Sequence, residues 1–144
     1  MTIHNVCKII RGDSAYADYA VISFYTCPDI VTGDAEEFYA ECGHVEHGIP
    51  LYSSIDFERL ESTKNAVINY LNEHSHFLIF DYDAHRAYHD TPDLEGFIMR
   101  SLEKNSYSCN LIKRNDVFNI VKKIFSEIKP TPSSNLGSNV CVVS

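Results

Sequence analysis

Apolar positions along this chain follow two periods, and the change from one to the other marks the elements. Residues 6–10 and 19–25 are runs of β-branched and aromatic side chains and read as strands. Gly12-Asp13-Ser14 and Cys27-Pro28-Asp29 bound them with turn chemistry. Residues 38–42 predict a third strand, ended by Gly43. The spacing then becomes helical over residues 62–73, where Ala66, Val67, Tyr70 and Leu71 share a face and Ser62 is placed to cap the start. Over residues 92–104, Leu94, Phe97, Ile98 and Leu102 recur at helical spacing, with Thr91 as N-cap and Pro92 at the first helical position. Over residues 116–129, Val117, Ile120, Val121, Ile124 and Ile128 form a stripe that Pro130 must stop.

Between the first two helices, Phe77-Leu78-Ile79-Phe80 has the composition of a central strand. It passes through Asp81-Tyr82-Asp83-Ala84 into Arg86-Ala87-Tyr88-His89, which predicts a β-hairpin. Residues 108–112 predict one more strand. Helices and strands mix without strict βαβ alternation, so the expected fold is α+β: a single domain over residues 1–130 with a mostly antiparallel sheet and about three helices. Residues 131–139 are a Pro, Ser, Asn and Gly spacer before the apolar end Val140-Cys141-Val142-Val143-Ser144. Residues 131–144 are therefore expected to form a flexible or edge-strand tail.

Composition adds little to this picture until charge is considered. A chain of 144 residues, 44% of them hydrophobic, is long enough to bury a core. No apolar run approaches the roughly 20 residues that cross a bilayer. Met1-Thr2-Ile3-His4-Asn5 lacks the basic start and apolar stretch of a secretory signal, so a cytoplasmic location is expected. Cys7, Cys27, Cys42, Cys109 and Cys141 are odd in number and form no Cys-x-x-Cys pair. They suggest free, buried thiols rather than a disulfide framework or a zinc ribbon.

The charge is unevenly placed. Residues 12–58 hold ten acids (Asp13, Asp18, Asp29, Asp34, Glu36, Glu37, Glu41, Glu46, Asp56 and Glu58) and no lysine or arginine. Ten acids and twelve bases occupy the remainder, so −10 and +2 combine to the net −8. The same stretch carries five of the nine tyrosines: Tyr16, Tyr19, Tyr25, Tyr39 and Tyr52. A surface built only for solubility mixes its signs, because crowded like charges repel. Tyrosine among unmixed acids instead suits an interface for a basic protein, with charge steering the encounter and the rings anchoring it. A protein that binds nucleic acid presents such a basic surface. Direct nucleic-acid binding by this chain is not expected, since its basic dipeptides are confined to Lys113-Arg114 and Lys122-Lys123.

Other motifs carry less. Cys42-Gly43-His44-Val45-Glu46-His47 and the pair His85 and His89 offer metal-ligand types, with His74, His76, Asp81 and Asp83 nearby in sequence. No His-Glu-x-x-His is present, and His85 and His89 flank a turn and strand rather than one helix face. Cys42 beside His44 has the elements of a thiol nucleophile but no oxyanion-hole signal. Asp81 and Asp83 at a hairpin are commonly turn hydrogen-bonders. Neither a cofactor nor a catalytic residue is expected. Cys141-Val142-Val143-Ser144 resembles a prenylation box, which gives an alternative reading: an effector tethered to membranes through Cys141.

The stretch His76-Phe77-Leu78-Ile79-Phe80-Asp81-Tyr82-Asp83, with Arg86-Ala87-Tyr88 and Leu94-Glu95-Gly96-Phe97-Ile98, resembles small acidic bacterial toxin-immunity proteins of the contact-dependent inhibition type. The shared features are an apolar strand, an acidic tight turn, a return strand with tyrosine and a short closing helix. The resemblance implies a non-enzymatic inhibitor that neutralises a basic, nuclease-type toxin by direct binding, with no membrane involved. The expected partner-binding residues are Asp34, Glu36, Glu37, Tyr39, Glu41, Glu46, Asp81 and Asp83.

Overall fold

The computed structural model describes residues 3–28, 36–42, 49–53, 57–92 and 94–127. The elements are α1 (Ile3–Gly12), β1 (Tyr19–Pro28), β2 (Glu36–Cys42), β3 (Ile49–Ser53), α2 (Phe57–Asn72), β4 (His76–Asp81), β5 (Arg86–His89), α3 (Gly96–Lys104), β6 (Ser108–Leu111) and α4 (Arg114–Ser126). A single 3₁₀ turn, Ser14–Tyr16, links α1 to β1, with the Asp13 side chain accepting from the Ala15 N–H. The expected tail, residues 131–144, lies outside the described residues.

All six strands join one sheet in the order β3-β2-β1-β4-β5-β6. The pairs β1–β2, β2–β3 and β4–β5 are antiparallel. The pairs β1–β4 and β5–β6 are parallel. The fold is thus α+β in one domain, as expected, with parallel pairing wherever a helix carries the chain back across the sheet. α3 does this between β5 and β6, and α2 precedes the return into β4 beside β1.

Strand pleating sends alternate side chains to opposite faces, and both faces are covered by helices. On one face Ala20, Ile22, Phe24, Phe77 and Ile79 pack under α2 and α4, through Val67, Leu71, Val117, Val121 and Phe125. On the other, Val21, Leu78, Phe80 and Ala87 pack under α1 and α3, through Val6, Ile10, Ile98 and Leu102. β1 and β4 are therefore buried on both sides, which accounts for the unbroken apolar run at residues 77–80. Phe24 meets Phe125 edge-on at 5.7 Å between centroids.

Several elements differ from the sequence expectation. Residues 6–10, read as a strand, belong to α1. Ile3, Val6, Cys7 and Ile10 are all buried, and their i, i+3, i+4, i+7 spacing is one helical stripe. The four helices include this one beyond the three expected. α2 starts at Phe57, so Ser62 lies inside it rather than at its cap. α3 starts at Gly96, not at Pro92. Thr91 is engaged elsewhere: its hydroxyl accepts from Tyr19 Oη at 2.7 Å, and its carbonyl receives His89 Nδ1 at 2.9 Å and the Leu94 N–H at 3.3 Å. β3 was not expected at all. It contains Pro50, which the sheet tolerates because β3 is an edge strand.

One arginine ties the end of α2 to the sheet. Arg114, at the start of α4, donates to the carbonyls of Leu71 at 3.0 Å and His74 at 2.7 Å, and its guanidinium sits 5.8 Å from the centroid of Phe77. The Leu71 carbonyl also accepts from the His74 N–H at 3.2 Å, so the arginine shares that acceptor at the helix end. Arg114→Ala is expected to lower the unfolding free energy by about 1.5–3 kcal/mol, the range for hydrogen bonds from charged donors. Arg114→Lys should recover only part, because an ammonium lacks the planar fork. Urea denaturation of the two variants checks both statements.

Candidate protein-binding surface

The side chains that could make a binding surface gather where β1 and β4 end and the chain turns into β5. Past the last residue of β4, the Tyr82 N–H still donates to the Phe24 carbonyl at 2.9 Å, so the parallel ladder runs one residue into the turn. That places Tyr82 beside Tyr25, with ring centroids 5.7 Å apart. Tyr82 in turn meets Tyr107 edge-on at 6.3 Å, and His85 stacks on Tyr107 at 5.1 Å. His85 holds φ at 53° to make the turn, a conformation that side chains other than glycine rarely adopt. The rings form a row across the sheet on the face that carries α1 and α3.

Strand register extends this row in the other direction. Tyr25 pairs with Tyr39, and Tyr39 with Tyr52. Directly opposite positions in antiparallel neighbours share a face. Three neighbouring strands therefore carry tyrosine at facing register positions. Glu41 pairs with Ser23 of β1, while Ala40 and Cys42 pack into the α2 face. The core beneath α1 and α3 draws on β1, β4 and β5.

At the edge of α1 a small polar knot closes the row from below. Cys7 Sγ lies 4.0 Å from Tyr82 Oη, beside the buried Ser23. Burial pushes both the Cys7 thiol and the Tyr82 phenol above their ordinary pKa values. Arg11 lies close enough to lower the Cys7 and Cys42 thiols somewhat against the effect of burial, and its buried Nε and Nη2 have no hydrogen-bond partner among the described residues. Of the described acids from residues 12–58, none of Asp13, Asp18 and Glu41 is in an ion pair. The two ion pairs among the described residues are Lys64–Glu61 at 2.8 Å and His76–Asp90 at 3.5 Å.

Asp81 and Asp83 are occupied within the chain. Asp83 accepts from the Thr26 N–H at 3.3 Å and from the Thr26 hydroxyl, fastening the β4–β5 turn to the end of β1. Asp81 accepts from the Ala84 N–H at 3.2 Å, and register places it on the α4 face opposite Phe24 and Arg86. Of the other expected residues, Asp34, Glu46 and Cys141 lie outside the described residues. Tyr25, Tyr82 and Tyr107 were not among the expected site residues. Their one signal in the sequence is composition, because the register that aligns them comes from pairing between distant segments.

Chemistry of an enzymatic kind finds little support here. Cys42 is buried under α2, and burial raises its thiol to about 12, so it is protonated at neutral pH and a poor nucleophile. His44 and His47 lie outside the described residues. Among the described residues no three histidine, cysteine or carboxylate side chains converge on a metal-sized site, and no helix is long and apolar enough to cross a membrane. No protein-family model, no curated protein and no solved structure matches this chain.

Half-burial of Asp81, with Asp83 and Glu127 adding repulsion, holds its carboxyl above the ordinary value of 3.8 even though Ala84 and Arg86 pull it down. A carboxyl raised in the folded state favours folding while it is protonated and loses that contribution as pH rises from the unfolded value through the folded one. Asp81→Asn keeps an oxygen for the Ala84 N–H and removes the charge. Its Tm is expected to exceed that of the wild type at pH 7, with the gap closing near pH 3. Thermal melts across that range check the sign.

Proposed function

We propose that the protein is a non-enzymatic inhibitor that binds a basic protein, an immunity protein for a nuclease-type toxin. The observation that carries this reading is the segregation of charge and tyrosine. Residues 12–58 bring ten acids and no base, and β2 carries Glu37, Tyr39 and Glu41 at alternate positions, with Tyr39 in register with Tyr25 and Tyr52. Each exposed charge pair contributes only about 0.2–1 kcal/mol, so the reading needs many of them acting together. An unmixed acidic flank provides that number, together with a field that speeds encounter at low salt. The aromatic rings supply contact area that charge alone lacks.

Three further observations support it. Arg114, half of the basic dipeptide Lys113-Arg114, is committed to the carbonyls at the end of α2, which weakens the case for a phosphate-binding surface. Cys42 is raised and buried, which weakens the case for thiol catalysis. Asp83 and Asp81 build the turn that holds Tyr82 in place, so in this reading their role is to position the row rather than to touch the partner. Contact falls instead to Glu37, Tyr39 and Glu41.

Co-expression with the toxin encoded beside its gene tests this directly. The wild-type chain is expected to restore growth. In the purified pair, Glu37→Lys combined with Glu41→Lys should weaken binding at least tenfold at low salt. A toxin whose action the wild-type chain leaves undiminished contradicts the proposal.

A further inference from the structure

The sheet has two edges, and they are built differently. β3 carries Pro50, which lacks the N–H that an added strand would need. β6, Ser108-Cys109-Asn110-Leu111, holds no proline and no charged residue. Its pairing shows which backbone groups stay open. The Ser108 and Ile112 N–H groups donate to the His85 and His89 carbonyls at 3.0 and 2.9 Å. In a parallel ladder the alternate residues face the other way, so Cys109 and Leu111 turn their N–H and C=O groups outward.

Side chains at this edge give it an apolar lip. Phe97 and Leu111 are the exposed large hydrophobics among the described residues, at 37% and 55%. Cys109 packs on the core beneath α1 and α3, and Leu111, two residues on, shares that face. On α3, Glu95 accepts from Tyr16 beyond the end of α1, and Met99 lies one turn further on the same side. Phe97 and Lys104 stand about 150° around the helix from Met99, on the side toward the free edge. A crossover helix runs against its strands, so Lys104 flanks the start of β6 and Phe97 its end, where Lys113 follows. Arg100, Lys104 and Lys113 are exposed, against Glu103 of opposite sign, and none of the four is in an ion pair among the described residues.

We propose that the free edge of β6 is a docking site for an extended acidic segment of a partner protein, which adds a strand beside Cys109 and Leu111. The backbone groups of those two residues supply the ladder. Phe97 and Leu111 take the apolar residues of the segment, and Lys104 and Lys113 bracket it with positive charge, which selects an acidic occupant over a basic one.

Two acetylated and amidated peptides, glutamate alternating with valine and lysine alternating with valine, test this when titrated into the full chain at low salt and followed by backbone NMR. The glutamate peptide should bind at least several-fold tighter, from roughly 1.5- to 5-fold for each exposed charge pair. The amides of Cys109 and Leu111 should shift most. Leu111→Pro removes one outward N–H while the donors to β5 stay in place, and should abolish that binding. Lys104→Glu combined with Lys113→Glu, both at exposed positions, should reverse the preference. Equal affinities, shifts centred away from β6, or binding that survives Leu111→Pro overturn the proposal. Slow exchange of the Cys109 and Leu111 amides in the free monomer also overturns it, because the chain then covers its own edge. So do shifts there that depend on protein concentration, because a second copy is then the occupant.

Discussion

The parallel pairing of β1 with β4 is the constraint from which the rest of the structure follows. Both strands are buried on both faces, so they supply the apolar contacts of two separate cores at once. Phe24 and Phe77 serve one core, and Leu78 and Phe80 the other. Most of the sheet's apolar side chains in each core come from this pair, with Ala87 of β5 adding to one and Ala40, Cys42 and Tyr88 to the other. The register Phe24↔Asp81 also decides where the turn into β5 stands and hence where Tyr82 meets Tyr25. Thr26 and Asp83 fasten this arrangement at its open end, after the ladder has run out.

From the same pair outward, the pleat sorts function from stability. On β2, Ala40 and Cys42 turn toward α2 and complete the core. The alternate positions along the strand are Glu37, Tyr39 and Glu41. Burial of unpaired carboxylates is costly, so a strand of this pattern has one apolar side to give and keeps a polar one.

How much of this was legible in the sequence differs by element. Residues 77–80 read as a buried central strand because a four-residue apolar run has no polar face to show, and so they are. Val6 to Ile10 misled for a related reason: five β-branched-rich residues fit either period, and the helical stripe emerges only when Ile3 and Cys7 are counted with Val6 and Ile10. Thr91-Pro92 is a good local helix start, but the contacts of Thr91 with Tyr19 and His89 override it. Pro50 hid β3 because proline argues against a strand unless the strand is at an edge, which the sequence does not reveal. For the surface, charge composition singled out residues 12–58, whereas the alignment of Tyr25, Tyr39 and Tyr52 was not legible, since it depends on the pairing of three separate segments.

The account therefore stands on the register of β2 against its two neighbours, and that register is directly measurable. Cross-strand NMR contacts between backbone protons are expected to join Tyr25 with Tyr39 and Tyr39 with Tyr52 as facing pairs. Contacts joining Tyr39 instead with Phe24 or Thr26 would mean a slip of one residue. Such a slip takes Tyr39 out of register with Tyr25 and Tyr52 and contradicts the account.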